Sequence, residues 1–243
     1  MGKIHLSHKD HKLELKSYKR PYFCSGCKEP GFGSRYRCGQ CDYELHKHCM
    51  SPPGRTVHHD FFKNSTFTFL FQPPGNRSGE KCQRYCKACG KLVKGFVFHD
   101  EKNGWDLHPC CRKLPRKLTV GGVEFALCDK VSSTCLFCNK KKRERTVSGF
   151  RGWSYVSKTE NLHFHVSCPT EWKLEVWGKG ATYDNEDSLA LARVELPIQR
   201  YNWNGRSGNI FIRMVKVIVK ASVAILLGDP IAALTGIYDL VAN

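Results

Sequence analysis

Two cysteines separated by two residues, an eighteen-residue gap, then a histidine and a cysteine separated by two residues: this spacing occurs twice in the chain. It appears as Cys24-x2-Cys27 with His46-x2-Cys49 and again as Cys86-x2-Cys89 with His108-x2-Cys111. A third copy, Cys135-x2-Cys138 with His165-x2-Cys168, widens the gap to twenty-six residues. Three thiolates and one imidazole presented on two short turns suit a closed tetrahedral zinc site. One such set could arise by chance, but a repeat at fixed spacing is a strong constraint on the fold.

The CxxC pairs begin 62 and 49 residues apart, which makes each unit about fifty to sixty residues long. Units that small bury too little apolar surface to be comfortably stable and need a metal or disulfide staple. Histidines interleaved at ligand spacing favour metal over disulfides. The first fifteen residues lack the apolar stretch of a secretory leader, so an intracellular protein of the cytoplasm or nucleus, not a secreted one, is expected. Thirty-nine Lys and Arg against twenty-two Asp and Glu give a formal net charge of +17. Three zinc sites of three thiolates each would lower that by about three. A protein partner is the leading expectation, with nucleic acid or an anionic membrane surface also compatible with the charge. No small-molecule substrate is expected.

The first unit, 1–59, carries donors for a second metal. His11 precedes the first CxxC, Cys38-x2-Cys41 forms another, and His58 or His59 follows Cys49. The order His, Cys-Cys, Cys-Cys, His-Cys, His resembles a C1 domain. The phrases HKLEL and PYFCSGCKEPGFGSRYRCGQCDYELHKHC are similar to the plant divergent C1 (DC1) family in particular. That resemblance implies two interleaved sites, one of Cys24, Cys27, His46 and Cys49 and the other of His11, Cys38, Cys41 and His58. It also implies small zinc-stabilised α+β modules in tandem, each of short strands plus a short helix, and an adaptor role in signalling or stress responses. The lipid-messenger-binding type has a longer loop and a Gln-Gly pair between its first and second CxxC. Only ten residues separate Cys27 from Cys38, without that pair.

The second unit, 60–117, is again DC1-like in KACGKLVKGFVFHDEKNGWDLHPCCRKLP, with Cys86, Cys89, His108 and Cys111 as ligands. Gln72 stands near the place of the leading histidine, and His99 lies beside the third cysteine position with no cysteine after it. Cys82 and Cys110 are spare thiols that could join His99 in a further site. The third unit, 118–178, resembles the family more loosely, with Cys135, Cys138, His165 and Cys168 as ligands and His163 as the alternative to His165. The total expected is three to five zinc ions.

Lys140, Lys141, Lys142, Arg143 and Arg145 form a basic run that could bind an anion or nucleic acid, although a solvated insertion is the simpler reading. Residues 179–208 read as a linker. In 209–243, apolar residues broken by Arg213, Lys216 and Lys220 predict an amphipathic helix, with Gly228-Asp229-Pro230 turning it into a C-terminal α-helical hairpin. Only eight residues separate Lys220 from Asp229, too few for a membrane span. Four protein ligands per site leave no position for a catalytic water, and neither an HExxH nor a deaminase signature is present, so the chain is expected not to be an enzyme.

Overall fold

The computed structural model describes residues 2–50, 56–59, 61–75, 83–120, 123–131, 133–141, 152–159, 162–178 and 218–219. These fall into two compact units, one running up to Leu114 and the other from Pro115. The first holds two four-stranded antiparallel sheets and the second holds one.

The first sheet is a meander of β1 (Lys3–His5), β2 (His8–Phe23), β3 (Pro30–Cys38) and β4 (Glu44–Leu45), closed by the single helical turn α1 (Lys47–Met50). The second repeats it as β5 (Thr56–His59), β6 (Phe62–Leu70), β7 (Val97–Asp100) and β8 (Trp105–Leu107). The third consists of β9 (Lys117–Val120), β10 (Val123–Cys128), β11 (Ser154–Ser157) and β12 (Leu162–His165), and leads into α2 (Cys168–Gly178). Small modules of short strands with few helices therefore recur along the chain. The predicted C-terminal hairpin lies outside the described residues, apart from Ile218 and Val219, which are helical and buried. No helix among the described residues is long and apolar enough to cross a membrane.

Alternation of side chains along a strand decides which residues face the core. In β2, Leu13 is fully buried and Leu15, two residues on and beyond the core, is 51% exposed. Leu13 pairs with Cys38 and packs in a cluster of Cys24, Cys27, Cys38, Leu45, Cys49, Met50 and Phe96, so cysteine sulfurs make up much of this small core. Phe67 takes its place in the second sheet and Phe125 in the third, both fully buried. Phe125 is backed by Phe164 at 5.3 Å, and Phe164 by Tyr155 at 5.5 Å. The first module also buries a cation. Arg35 is stacked between Tyr18 and Tyr22 at 4.3 and 4.4 Å and paired with Glu44 at 3.0 Å.

Residues Thr56–His59, read from sequence as the end of the first module, belong to the second sheet. Val57 pairs with Phe67 and His59 with Phe62 across a two-residue turn. In both sheets of the first unit the opening hairpin shifts register by a bulge, between Lys3 and His5 in one and Val57 and His59 in the other. The opening hairpin of the third sheet runs in unbroken register from Val123–Val120 to Ala126–Lys117.

A core residue at the centre of its sheet should be far more sensitive than its exposed neighbour on the same strand. Leu13→Ala is expected to cost about 2–5 kcal/mol and Phe125→Ala about 3–5 kcal/mol in urea unfolding of the zinc-loaded chain, against about 0.5 kcal/mol or less for Leu15→Ala.

Candidate metal centres

Each CxxC forms the same turn. The first cysteine's carbonyl accepts from the amide of the residue following the second cysteine: Lys28 to Cys24 at 2.9 Å, Gly90 to Cys86 at 2.8 Å and Asn139 to Cys135 at 2.9 Å. That residue has positive φ in every copy, 64° at Lys28, 69° at Gly90 and 54° at Asn139. Gly and Asn adopt this conformation readily, and Lys28 is the uncommon occupant. The first cysteine's amide in turn donates to Glu29, Lys91 or Lys140, closing the turn. One further bond ties each turn to the strand that ends at or just before the histidine: Ser25 to Glu44 at 2.7 Å, Lys87 to Asp106 at 2.8 Å and Leu136 to His163 at 2.9 Å. The His-x2-Cys pairs of the first unit lie on a helical turn, with Cys49 donating to His46 and Cys111 to His108. In the third module Cys168 starts α2, where the Ser167 carbonyl accepts the first intrahelical bond from Glu171.

Four groups of donors result, each with its ligand atoms within 4.8 Å of one another: Cys24, Cys27, His46, Cys49; His8, His11, Cys38, Cys41; Cys86, Cys89, His108, Cys111; and Cys135, Cys138, His165, Cys168. Zinc–sulfur bonds of about 2.3 Å in a tetrahedron separate the sulfurs by about 3.8 Å, so these clusters fit a tetrahedral zinc after small adjustment. In the three Cys3His groups Nδ1 faces sulfur, at 3.3 Å from Cys27 to His46, 3.3 Å from Cys89 to His108 and 3.4 Å from Cys138 to His165. All described cysteines are free thiols.

The charge balance suits a cation. Burial works against ionisation of Cys24 and Cys86, yet neighbouring thiols and the facing histidine win and hold both well below the ordinary thiol range. Hydrogen bonds from its cluster partners likewise hold Cys138 low. Burial would lower His165, but the thiolates of Cys135 and Cys138 lift it to about 9. His163 is pushed down to about 4 by burial and by His165. It bonds to Ser133 Oγ at 3.0 Å, so it is a neutral neighbour of the site and His165 is the ligand.

The second site of the first module differs from the expected set in one ligand. His8 joins His11, Cys38 and Cys41, and His58 does not. His58 lies on β5, where its Nδ1 approaches the Ser65 carbonyl at 3.0 Å. His59, its alternative, accepts from the Phe61 amide at 3.2 Å. Side chains three apart on a regular strand face opposite ways, and the bulge in the β1–β2 hairpin brings His8 and His11 together. His8 stacks on Tyr43 at 4.4 Å, and His11 Nδ1 lies 3.2 Å from Cys41 Sγ. The missed signal was His-x2-His ahead of a second CxxC.

In the second module the corresponding positions hold no metal-binding set. Counting back from the histidine that follows β4 or β8, Cys38 corresponds to Asp100, Cys41 to Asn103 and Tyr43 to Trp105, while the hairpins match His8 to Phe62 and His11 to Ser65. Hydrogen bonds replace the sulfurs. Asn103 N donates to Asp100 Oδ1 at 2.8 Å, Thr66 N to Asp100 Oδ2 at 3.1 Å, and Asn103 Nδ2 to Ser65 Oγ at 3.3 Å. Phe62 packs on Trp105 at 4.8 Å, where His8 stacks on Tyr43. His99 is drawn into another network, 2.9 Å from Asp106 Oδ1 and 3.1 Å from an Arg84 nitrogen. Cys82, one of its proposed companions, lies outside the described residues, as do Lys142, Arg143 and Arg145. Lys140 and Lys141 are exposed, and the Lys140 carbonyl closes the third knuckle.

The geometry defines a class: small Cys/His modules stapled by structural zinc, each site closed by four protein ligands. The family model described as C1 domain matches residues 6–50, and the Cys/His groups fit a DC1-like zinc-binding domain. No solved structure matches the chain.

Two outcomes test this assignment. Metal analysis should give four zinc ions per chain, three for His8→Ala or Cys41→Ser, and an unchanged four for His58→Ala. On acidification the ion of the two-cysteine site should leave first. Burial alone would raise Cys38, but bonds from the Gln40 amide, His8 and the Cys41 amide lower it to about 6. Its thiolate is thus present above that value and lost as pH falls through it. Bound zinc lowers it further, placing release below about pH 6 while the three Cys3His ions remain.

Proposed function

We propose that the chain is a non-enzymatic adaptor of intracellular signalling or stress response, whose zinc modules shape a surface for a protein partner. The closure of all four donor groups by protein side chains supports a binding role, because a catalytic zinc keeps one position open for water or substrate. The observation that carries the choice of a protein partner is the edge of the first sheet. Strand β1 ends the sheet order, and Ile4 within it and Leu6 in the turn after it are 59% and 69% exposed. Natural edge strands are guarded by charge or cover, and an apolar one suits strand addition by an extended peptide. Lys3, next to Ile4, adds a cation to the same edge.

The formal charge of +17 favours one rival, nucleic-acid binding, which makes a different prediction. Affinity for duplex DNA would fall with salt, by about 0.9 in log K per log unit of salt for every phosphate neutralised. Affinity purification of the full zinc-loaded chain, before and after nuclease treatment, separates the two. The expected result is a partner protein retained after nuclease and lost from Ile4→Glu/Leu6→Glu, a variant that still holds four zinc ions. Retention only through nucleic acid, with a steep salt slope, would overturn the adaptor reading.

A further inference from the structure

The two Cys3His groups of the first unit meet across a short seam. At its centre Gly26, inside the first knuckle, accepts through its carbonyl from Phe96 N at 3.0 Å. The approach is close enough that a Cβ on Gly95 would run into that carbonyl and one on Gly26 into the Phe96 ring. Cys27 of the first site and Cys110, beside Cys111 of the second, are close enough that each shifts the other's ionisation. The zinc groups are therefore neighbours within one packed body.

Glu29 closes the first knuckle with its backbone but points its side chain at the second module. One carboxylate oxygen lies 2.7 Å from Lys91 Nζ, and Lys91 is the residue that closes the second knuckle. The other oxygen lies 3.6 Å from His108 Nε2. Because His108 Nδ1 faces Cys89 Sγ at 3.3 Å, Nδ1 is the nitrogen placed for the metal and Nε2 points away from it. Nε2 is buried and makes no hydrogen bond among the described residues, with the Glu29 oxygen just beyond bonding distance. Metal-bound histidines characteristically donate their other N–H to a carboxylate or carbonyl, which fixes the tautomer and the ring plane and strengthens the ligand. Zinc on Nδ1 places the proton on Nε2 and makes it a stronger donor, and a small torsional change at Glu29 closes the remaining gap.

The geometry points to Glu29 of the first module as the positioning residue for the zinc ligand His108 of the second. The first module thereby contributes a second-layer contact to its neighbour's metal site, with Lys91 anchoring the carboxylate. The reverse contact is absent among the described residues. His46 Nε2 is also buried without a hydrogen bond, and it lies beside the Tyr22 ring, whose centroid is 5.4 Å from its own. Zinc affinity in the second module should thus depend on the first knuckle being folded, whereas the second module sends no carboxylate to His46 among the described residues and acts on the first site through Cys110.

The test uses the full chain loaded with zinc, or with cadmium-113 to resolve individual sites by NMR. The second-module ion is identified as the resonance missing from Cys86→Ser. Chelator competition on Glu29→Ala should show that ion bound about ten- to a hundredfold more weakly, the usual effect of losing a second-layer partner. The ion held by Cys24, Cys27, His46 and Cys49 should shift by less than about threefold, since the carboxylate acts on His46 through its charge alone and pairs directly with Lys91 and His108. Glu29→Gln, which keeps an acceptor oxygen, should recover part of the affinity. The His108 Nε2 proton should be protected and downfield in the parent chain and move in both variants. Equal weakening of both ions would make Glu29 a general fold residue, and unchanged affinity with an unmoved Nε2 proton would remove it from the site. Either result overturns the assignment.

Discussion

Every module of this chain depends on one arrangement, a CxxC turn pinned to the strand that carries a His-x2-Cys pair. The same few backbone hydrogen bonds recur at Cys24–Glu29, Cys86–Lys91 and Cys135–Lys140, with positive φ at the residue after the second cysteine. Those bonds place two sulfurs on one side of the turn and bring an imidazole and a third sulfur opposite them. A bound structural zinc contributes roughly 10–16 kcal/mol of apparent free energy. Burying a leucine or phenylalanine side chain contributes roughly 1.5–3 kcal/mol. With small apolar cores built around Leu13, Phe67 and Phe125, one metal contributes as much as several buried side chains in each module. The strands both build those cores and deliver the ligands.

The second module shows what remains when such a staple is removed. Its opening hairpin keeps the bulge that turns His8 toward His11 in the first, yet Phe62 and Ser65 occupy those positions. Asp100 and Asn103 reproduce the turn of Cys38 and Cys41, the Asn103 amide bonding to the Asp100 side chain as the Cys41 amide bonds to Cys38 sulfur. Burial works to raise the Asp100 carboxyl, but the bonds from Asn103, Ser65 and Thr66 hold it below its usual range. A handful of hydrogen bonds, each worth about 1 kcal/mol net, preserves the local shape without replacing the free energy of a metal. The module can tolerate this exchange because its Cys3His site remains. The third module shows neither the bulge nor a second ligand set among its described residues.

Spacing made the Cys3His sites legible in the sequence, because ligand separation on short turns is a local property. The recurrence of three Cys3His sets in tandem followed from the same counting. His8 escaped because strand alternation places it opposite His11, and only a bulge cancels that rule. His58 was misplaced because its role depended on where one module ends, and pairing of Val57 with Phe67 settles that through a long-range contact. Asp100-x2-Asn103 was invisible for a different reason. Asp and Asn occur in many turns, so nothing local marks this pair as the counterpart of a CxxC. Glu29 likewise reads as a surface acid until the seam between the modules brings Lys91 and His108 to it.

The ligands of the Cys3His sites are largely buried, whereas much of the basic charge lies at the surface. Each Cys3His zinc carries a net charge of about −1, and the two-cysteine, two-histidine site about zero. Adding the fourth ion therefore leaves the earlier correction of about three charges unchanged, and the chain stays strongly basic against a formal +17. Those negative clusters are largely buried, whereas lysines such as Lys9, Lys12, Lys16 and Lys94 are exposed. Charge of this kind acts over about a Debye length, roughly 8–10 Å at ordinary ionic strength, and speeds the approach of an acidic surface. For the protein partner proposed above, short-range selection would fall to groups fixed by the metal scaffold, among them the exposed edge that carries Ile4. In that proposal zinc sets the shape a partner would meet, and the lysines and arginines set how readily it would arrive.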